Sequence, residues 1–239
     1  MPKPKLPLKT FSWSPNLAYI IGLLVTDGNL SNDGRHIIMR SSDRDLLETF
    51  NSCLDLKNKI SETKNNGFAK RPSYRVQFGN IQFYKWLVKI GLAHKKTYNV
   101  GEIKIPDKYF RDFLRGHLDG DGTILTYDDR YNKYRGRTYV NLRVFLYFIS
   151  ASRTHIDWLI RKIRDLTKVK GSLTCSKPVK SNRVPMWRIK FSKKEAVKIL
   201  RWMYYQENLP CLERKRELVR KIFNLVVNEK RRKYSRITS

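Results

Sequence analysis

Two aspartates stand where solvation alone is a poor reason for an acid. In YIIGLLVTDG, residues 19–28, a run of apolar helix formers ends at Asp27 and Gly28; in FLRGHLDGDG, residues 113–122, it ends at Asp121 and Gly122. Aligned on the final acid, Gly22 matches Gly116 and Thr26 matches Gly120, at a spacing of 121 − 27 = 94 residues. At glycine and aspartate frequencies of roughly 5% each, one Gly-x4-Asp-Gly arises by chance about three times in a hundred such chains. Helix termination explains either acid alone but not the pair. Two carboxylates at two helix C-termini repel each other and the negative ends of both helix dipoles. A bound divalent cation relieves both. Ligands that are all oxygen and few in number, with room left for water and phosphate oxygens, suit Mg2+. A metal held in this way can activate water and offset the charge developing on a phosphorane and its leaving oxygen.

Other elements must bring the two acids together. Gly22 and Thr26 in one motif, and Gly116 and Gly120 in the other, stand four apart and so share one helix face. Small residues on that face let a partner helix approach closely. Glycine inside a helix costs roughly 1 kcal/mol against alanine, so its place mid-helix points to backbone contact. Packing the two faces together makes Asp27 and Asp121 neighbours. Gly28 and Gly122 are expected to supply a left-handed turn ending each helix, and their carbonyls to join the acids as metal ligands.

The repetition extends downstream. After the first motif, residues 35–42 read as a strand, 43–54 as a helix capped by Asp43, 58–64 and 73–78 as strands, and 80–92 as a helix opened by Asn80. After the second, 138–151 read as a strand, 152–166 as a helix capped by Ser152, 171–177 and 184–191 as strands, and 192–206 and 211–228 as helices. Two copies imply a pseudo-dimer on one chain, residues 1–100 and 101–239, with a short linker near 97–107.

Strand alternation gives each half one polar face. Ser73, Arg75 and Gln77 alternate with Tyr74, Val76 and Phe78, and Arg188 and Lys190 with Trp187, Ile189 and Phe191. Lys59, Ser61 and Thr63 in the first half, and Ser172, Thr174 and Ser176 in the second, alternate in the same way. Arg35 and Arg40 flank a further strand, Arg143 lies on another, and Lys133, Arg135 and Arg137 fall on a long hairpin. These residue types read base edges and grip phosphates. A single such strand is an ordinary solvated face. Their recurrence in both halves favours a curved basic sheet lying in a groove.

The charge agrees with that reading. The chain carries 50 Lys+Arg against 21 Asp+Glu, a formal net charge of +29, spread along its length. Such an excess repels itself in the folded state and points to a polyanion such as duplex DNA or RNA; a generic basic protein, for example a ribosomal one, is the plain alternative. With 41% hydrophobic residues the chain can build a core. Cys53, Cys175 and Cys211 are odd in number and far apart, which fits a reducing compartment and neither a disulfide frame nor a zinc site. No apolar run reaches a membrane span, and the prolines near the N-terminus spoil both a signal peptide and an amphipathic presequence.

The paired helices IIGLLVTDG and LRGHLDGDG, within an αββαββα order repeated twice, resemble the LAGLIDADG homing endonuclease family over nearly the whole chain. Residues 96–122 resemble the junction between halves in single-chain members. The resemblance implies an α+β fold: two pseudo-symmetric αββαββα repeats forming a saddle of antiparallel sheets around a central two-helix interface. It implies a monomeric, site-specific endonuclease of double-stranded DNA that recognises a long asymmetric site. One phosphodiester per strand would be hydrolysed with Mg2+ to leave short 3′ overhangs, with Mn2+ as substitute and Ca2+ bound without cleavage. Asp27 and Asp121 would hold the metals, and the basic residues beside the scissile phosphates would be Lys96 and Lys215. Val25 departs from the acid many members carry there; Asp119 keeps it in the second motif, and is read as structural because it points elsewhere on the helix than Asp121. The leading nucleophile and closing His-Asn of an intein are missing, which fits a free-standing, intron-encoded enzyme of an organelle (mitochondrion or chloroplast) or prokaryotic cytoplasm. Two alternatives stay open: a maturase that assists splicing of a group I intron RNA, and a cleavage-inactive DNA-binding protein of the same fold. Retention of both acids counts against the second.

Overall fold

The repeat in the sequence is also a repeat in topology. The computed structural model describes residues 11–63, 72–93, 100–131, 133–134, 137–138, 140–176 and 185–235, with backbone alone for 133–134, 137–138 and 230–235. Helix α1 (Pro15–Thr26) opens at Ser14, whose hydroxyl accepts the Leu17 N–H at 3.1 Å, with Pro15 in the first turn where its missing N–H costs nothing. Strands β1 (Gly28–Leu30) and β2 (His36–Ser41), helix α2 (Arg44–Cys53), strands β3 (Ser61–Thr63) and β4 (Ser73–Gly79) and helix α3 (Ile81–Ile90) complete the first half.

A short 3-10 turn, Asp107–Tyr109, then leads into α4 (Phe110–Asp121). Strand β5 (Thr123–Asp129) is joined to β8 (Asn141–Ser150) through a ribbon of β6 (Lys133–Tyr134) and β7 (Arg137–Thr138). Helix α5 (Arg153–Thr167), strands β9 (Ser172–Ser176) and β10 (Met186–Ser192) and helix α6 (Lys193–Met203) follow. A last long helix, α7 (Glu213–Ser235), closes the chain. The two main sheets have four strands each, in the orders β1-β2-β4-β3 and β5-β8-β10-β9, with all pairings antiparallel. Strand for strand, the second order copies the first.

The core lies between the inner sheet faces and the helices. Ile37, Met39 and Val76 in the first sheet, and Val144, Leu146, Phe148, Ile189 and Phe191 in the second, are fully buried. The predicted caps at Asn80 and Ser152 form: Asn80 accepts the Phe83 N–H at 2.9 Å, and Ser152 accepts the His155 N–H at 3.3 Å while donating to the Val100 carbonyl at 2.5 Å. Asp43 occupies the cap position of α2 but makes no side-chain bond to that helix. Its carboxylate instead receives the Arg214 guanidinium at 2.9 Å, across the two halves.

The connection between halves is packed against its surroundings. Val100, Ile103 and Ile105 are buried, the Lys104 N–H donates to the Ile90 carbonyl at 2.8 Å, and His155 Nδ1 lies 2.9 Å from the Gly101 carbonyl. Strand β5 was not separable by pattern, because its apolar residues Ile124 and Leu125 are consecutive and so face opposite ways. Among the described residues no helix is long and apolar enough to cross a membrane.

Candidate active site and nucleic-acid interface

The small faces of α1 and α4 meet backbone to backbone. A Cβ added at Gly22 would fall 2.6 Å from the His117 nitrogen and closer still to the Phe113 carbonyl oxygen. One added at Gly116 would lie 2.9 Å from the Tyr19 carbonyl carbon and closer to its oxygen. Gly120 faces Thr26, whose Cβ would be 2.7 Å away, and Thr26 in turn donates its hydroxyl to the Leu23 carbonyl at 3.0 Å. All four small residues thus lie in one contact.

That contact sets the Asp27 carboxylate against Gly120, the residue before Asp121. Asp27 caps α1, its N–H donating to the Leu23 carbonyl at 2.9 Å; Asp121 is the last residue of α4 and is exposed. The Asp27 carboxylate rests on the closing turn of α4, with Oδ2 at 2.7 Å from where a Gly120 Cβ would stand. A side chain at 120 would push that carboxylate away. The turns after the two acids are not left-handed, contrary to what the sequence suggests. Neither Gly28 nor Gly122 has positive φ, and Gly122 is extended at φ −81 and ψ 160. Each is glycine because the chain folds back onto the helix it leaves: a Cβ would meet the Leu24 Cα at 2.7 Å, or the Leu118 Cα at 2.7 Å.

Lys215, in the first turn of α7, is buried beneath this site. Its ammonium donates to the Asp119 carbonyl at 3.1 Å, the Gly122 carbonyl at 2.9 Å and the Leu118 carbonyl. These carbonyls close the C-terminus of α4, where a cation also answers the helix dipole, and the Leu118 carbonyl accepts the Gly122 N–H at 3.0 Å as well. Asp119 makes the reciprocal contact, its carboxylate accepting the Leu212 N–H at 2.7 Å just ahead of α7. Two helix ends therefore exchange charged side chains. Burial holds the Lys215 ammonium below its ordinary pKa, against the pull of Asp119 and Asp27. Burial likewise pushes the Asp119 carboxyl up to about 6, against Lys215 and the bonds from Leu212 and from the Tyr19 hydroxyl at 2.9 Å. The Gly122 carbonyl, expected on the metal, is given to Lys215. Lys96 lies outside the described residues.

A polar network behind the site was not singled out from sequence. Buried Arg115 donates to the carbonyls of Pro210 at 2.9 Å and Met203 at 2.8 Å, and to Asp112 at 2.8 Å. The signal existed: Asp112, Arg115 and Asp119 are spaced three and four apart on one face of an otherwise apolar helix.

On the outer face of the first sheet, Arg40 stands opposite Arg75, which stands opposite Ser61; Ile38 pairs with Asn29 and Gln77, and Ser73 with Thr63. Directly opposed like charges destabilise a sheet, and neither arginine has an ion pair among the described residues. Arg35 and Lys59 are exposed just ahead of β2 and β3. In the second sheet Arg188 stands opposite Thr174 and Lys190 opposite Ser172. The hydroxyls of Thr174 and Ser176 donate to carbonyls of β10 at 3.4 and 3.1 Å. Arg143 is held by Asp129 at 2.8 Å, and hydrogen bonds from the Tyr131 N–H and from Arg143 lower that carboxyl. Lys133 and Arg137 lie in the β6–β7 ribbon, their side chains outside the described set, and Arg135 is outside it altogether.

Fold and site together define an α+β protein of two pseudo-repeats built on a glycine-faced helix pair that ends in two acids. Residues 14–91 match the family model of the LAGLIDADG-like domain, and the chain has the fold of the LAGLIDADG homing endonucleases. It is similar to the meganuclease I-AabMI bound to uncleaved DNA, at TM-score 0.59 and 14% identity over 92% of each chain. It is similar to the I-LtrWI homing endonuclease bound to target DNA, at TM-score 0.55 and 14% identity over 90% of this chain and 91% of that one. Full-length DUF199/WhiA from Thermatoga maritima matches at TM-score 0.52 and 14% identity over 96% of this chain and 70% of its own. No curated protein matches the chain in sequence.

Proposed function

We propose that this chain is a site-specific endonuclease of double-stranded DNA, cutting one phosphodiester per strand with Mg2+ and leaving short 3′ overhangs. One observation carries the proposal: two acids end two abutting helices between two sheets whose outer faces present Arg40, Arg75, Arg188 and Lys190. The DNA-bound relatives of the same fold support it.

The donor set fits the metal. Among the described residues no group of three or more His, Cys, Asp or Glu could enclose an ion, so Asp27 and Asp121 would hold it with most positions left to water and phosphate, as Mg2+ prefers. When bound, the ion would supply an activated water and neutralise charge on the scissile phosphate. The chain's own residues do the rest. The glycine contact fixes the spacing of the two acids. Lys215 keeps the closing turn of α4 in place and adds positive potential beside Asp27, acting as a positioning residue because its donors are spent on carbonyls. The arginines of the sheets bind phosphates and base edges and set the duplex across the acids.

Asp27→Asn and Asp121→Asn should each abolish cleavage of at least one strand, and EDTA should stop cutting, while binding persists in all three cases. Duplexes selected from a randomised library by cleavage with Mg2+ supply the substrate. Undiminished double-strand cutting by both variants would end the assignment of the acids.

A further inference from the structure

The outer faces of the two sheets differ in chemistry. On the first, the outward residues of β1, β2, β4 and β3 are Asn29, His36, Arg40, Ser73, Arg75, Gln77, Gly79, Ser61 and Thr63, with Ile38 the single large apolar side chain. On the second, strand register places Leu125 opposite Phe145, Thr123 opposite Tyr147, and Tyr127 opposite Arg143, with Ile149 beside Arg188. Leu125 is 44% exposed and Tyr127 47%, and Phe145, Tyr147 and Ile149 are half-buried. Ring centroids run 6.3 Å from Tyr127 to Phe145 and 6.1 Å from Phe145 to Tyr147. Cations lean over this row: Lys190 lies 4.3 Å from the Phe145 ring centre and Arg188 lies 5.2 Å from that of Tyr147.

A contiguous apolar patch on a surface is costly unless something covers it. Its occupant must also satisfy Arg188 and Lys190, which lean over the row, in a chain of net charge +29. A polyanion with an apolar group exposed among its polar edges meets both demands. In the major groove of duplex DNA the only such group is the thymine C5-methyl. The first sheet, with Arg, Gln and Asn, is suited to purine acceptors and to adenine.

Resting on the reading of the chain as a DNA-binding protein, we propose that the second sheet recognises its half-site through thymine methyls contacted by Leu125, Tyr127, Phe145 and Tyr147, while the first sheet reads hydrogen-bonding edges. Specificity is then divided between the halves by type of contact as well as by sequence.

The test begins with duplexes selected from a randomised library for binding to the full chain. Thymidine is then replaced by deoxyuridine, which removes only the methyl, in one half-site at a time. The loss expected is about fourfold for each contacted methyl in one half-site and less than twofold in the other. In L125S/F145S, whose changes fall on the outer face, the sensitive half-site should lose its response to deoxyuridine, with thermal denaturation checking the fold. Specific duplex binding with no response in either half-site overturns the inference. So does a response that survives intact in the folded double variant. Preference for a single-stranded oligonucleotide of the same sequence also overturns it, and makes the row a platform for stacked bases. Failure to retain any selected duplex removes the DNA-binding reading itself, and with it this one.

Discussion

Helices α1 and α4 share length, glycine face and terminal acid, yet they bury different things. Apart from the Tyr19 hydroxyl, α1 fills its interior with apolar side chains, including Ala18, Ile21, Leu23 and Val25. At the matching positions α4 buries Asp112, Arg115, His117 and Asp119. The glycines perform the task common to both helices, which is to bring two backbones and two acids together. The charges of α4 perform a task of their own. The end of α6 and the irregular chain that leads to α7 run past α4, and their buried carbonyl and N–H groups need partners that apolar side chains cannot supply. Arg115 serves Met203 and Pro210, Asp119 serves the Leu212 N–H, and Lys215 returns three bonds to the end of α4. One pseudo-repeat is therefore held by packing, the other by packing and a buried polar network.

Copying the first helix into the second breaks this comparison most severely. R115I alone should destabilise the protein by about 3–5 kcal/mol, because buried Asp112 loses its partner at 2.8 Å and keeps only the Tyr205 hydroxyl at 3.1 Å and Arg111 at 4.0 Å. Adding D112A should recover a large part of that loss, although the carbonyls of Met203 and Pro210 stay without donors. Denaturant unfolding of the two singles and the double closes the cycle. A double variant no better than R115I would show that the carbonyls, and not the ion pair, dominate.

The glycines should behave alike in both halves. Gly22→Ala and Gly116→Ala each drive a methyl into the other helix's backbone, and each should cost about 1–3 kcal/mol in the same assay. A difference larger than that range would mean that the helix contact is not shared evenly.

Arg214 and Asp43 should matter least to stability. They link the halves at 2.9 Å, but the arginine side chain is 60% exposed, and exposed pairs contribute under about 1 kcal/mol. Arg214→Ala should therefore shift unfolding by less than that, and by less still at high salt. A larger shift would make this pair a structural clasp between the halves.

Much of the molecule was legible in sequence because its signals are local. Gly-x4-Asp-Gly marks both the contact face and the acid of each motif helix, and the caps at Asn80 and Ser152 lie one residue ahead of the helices they open. Asp43 sits at its predicted place, but its carboxylate was claimed by Arg214, a residue far along the chain. Gly28 and Gly122 are constrained by space and not by backbone angle. A glycine's need for space and its need for positive φ look the same in a sequence, and only coordinates show Leu24 and Leu118 beneath them.

Sequence by itself determined the duplication, the glycine-faced helices, the two acids and the basic balance, because composition and spacing along one element carry those features. Tertiary structure alone decided which donors met which carbonyls around Lys215, since the groups involved lie about 90 or more residues apart. It also decided the outer face of the second sheet. NLRVFLYFIS is apolar almost throughout, so period-two alternation cannot be seen in it; pairing with β5 and β10 turns Phe145 and Tyr147 outward and Leu146 and Phe148 into the core.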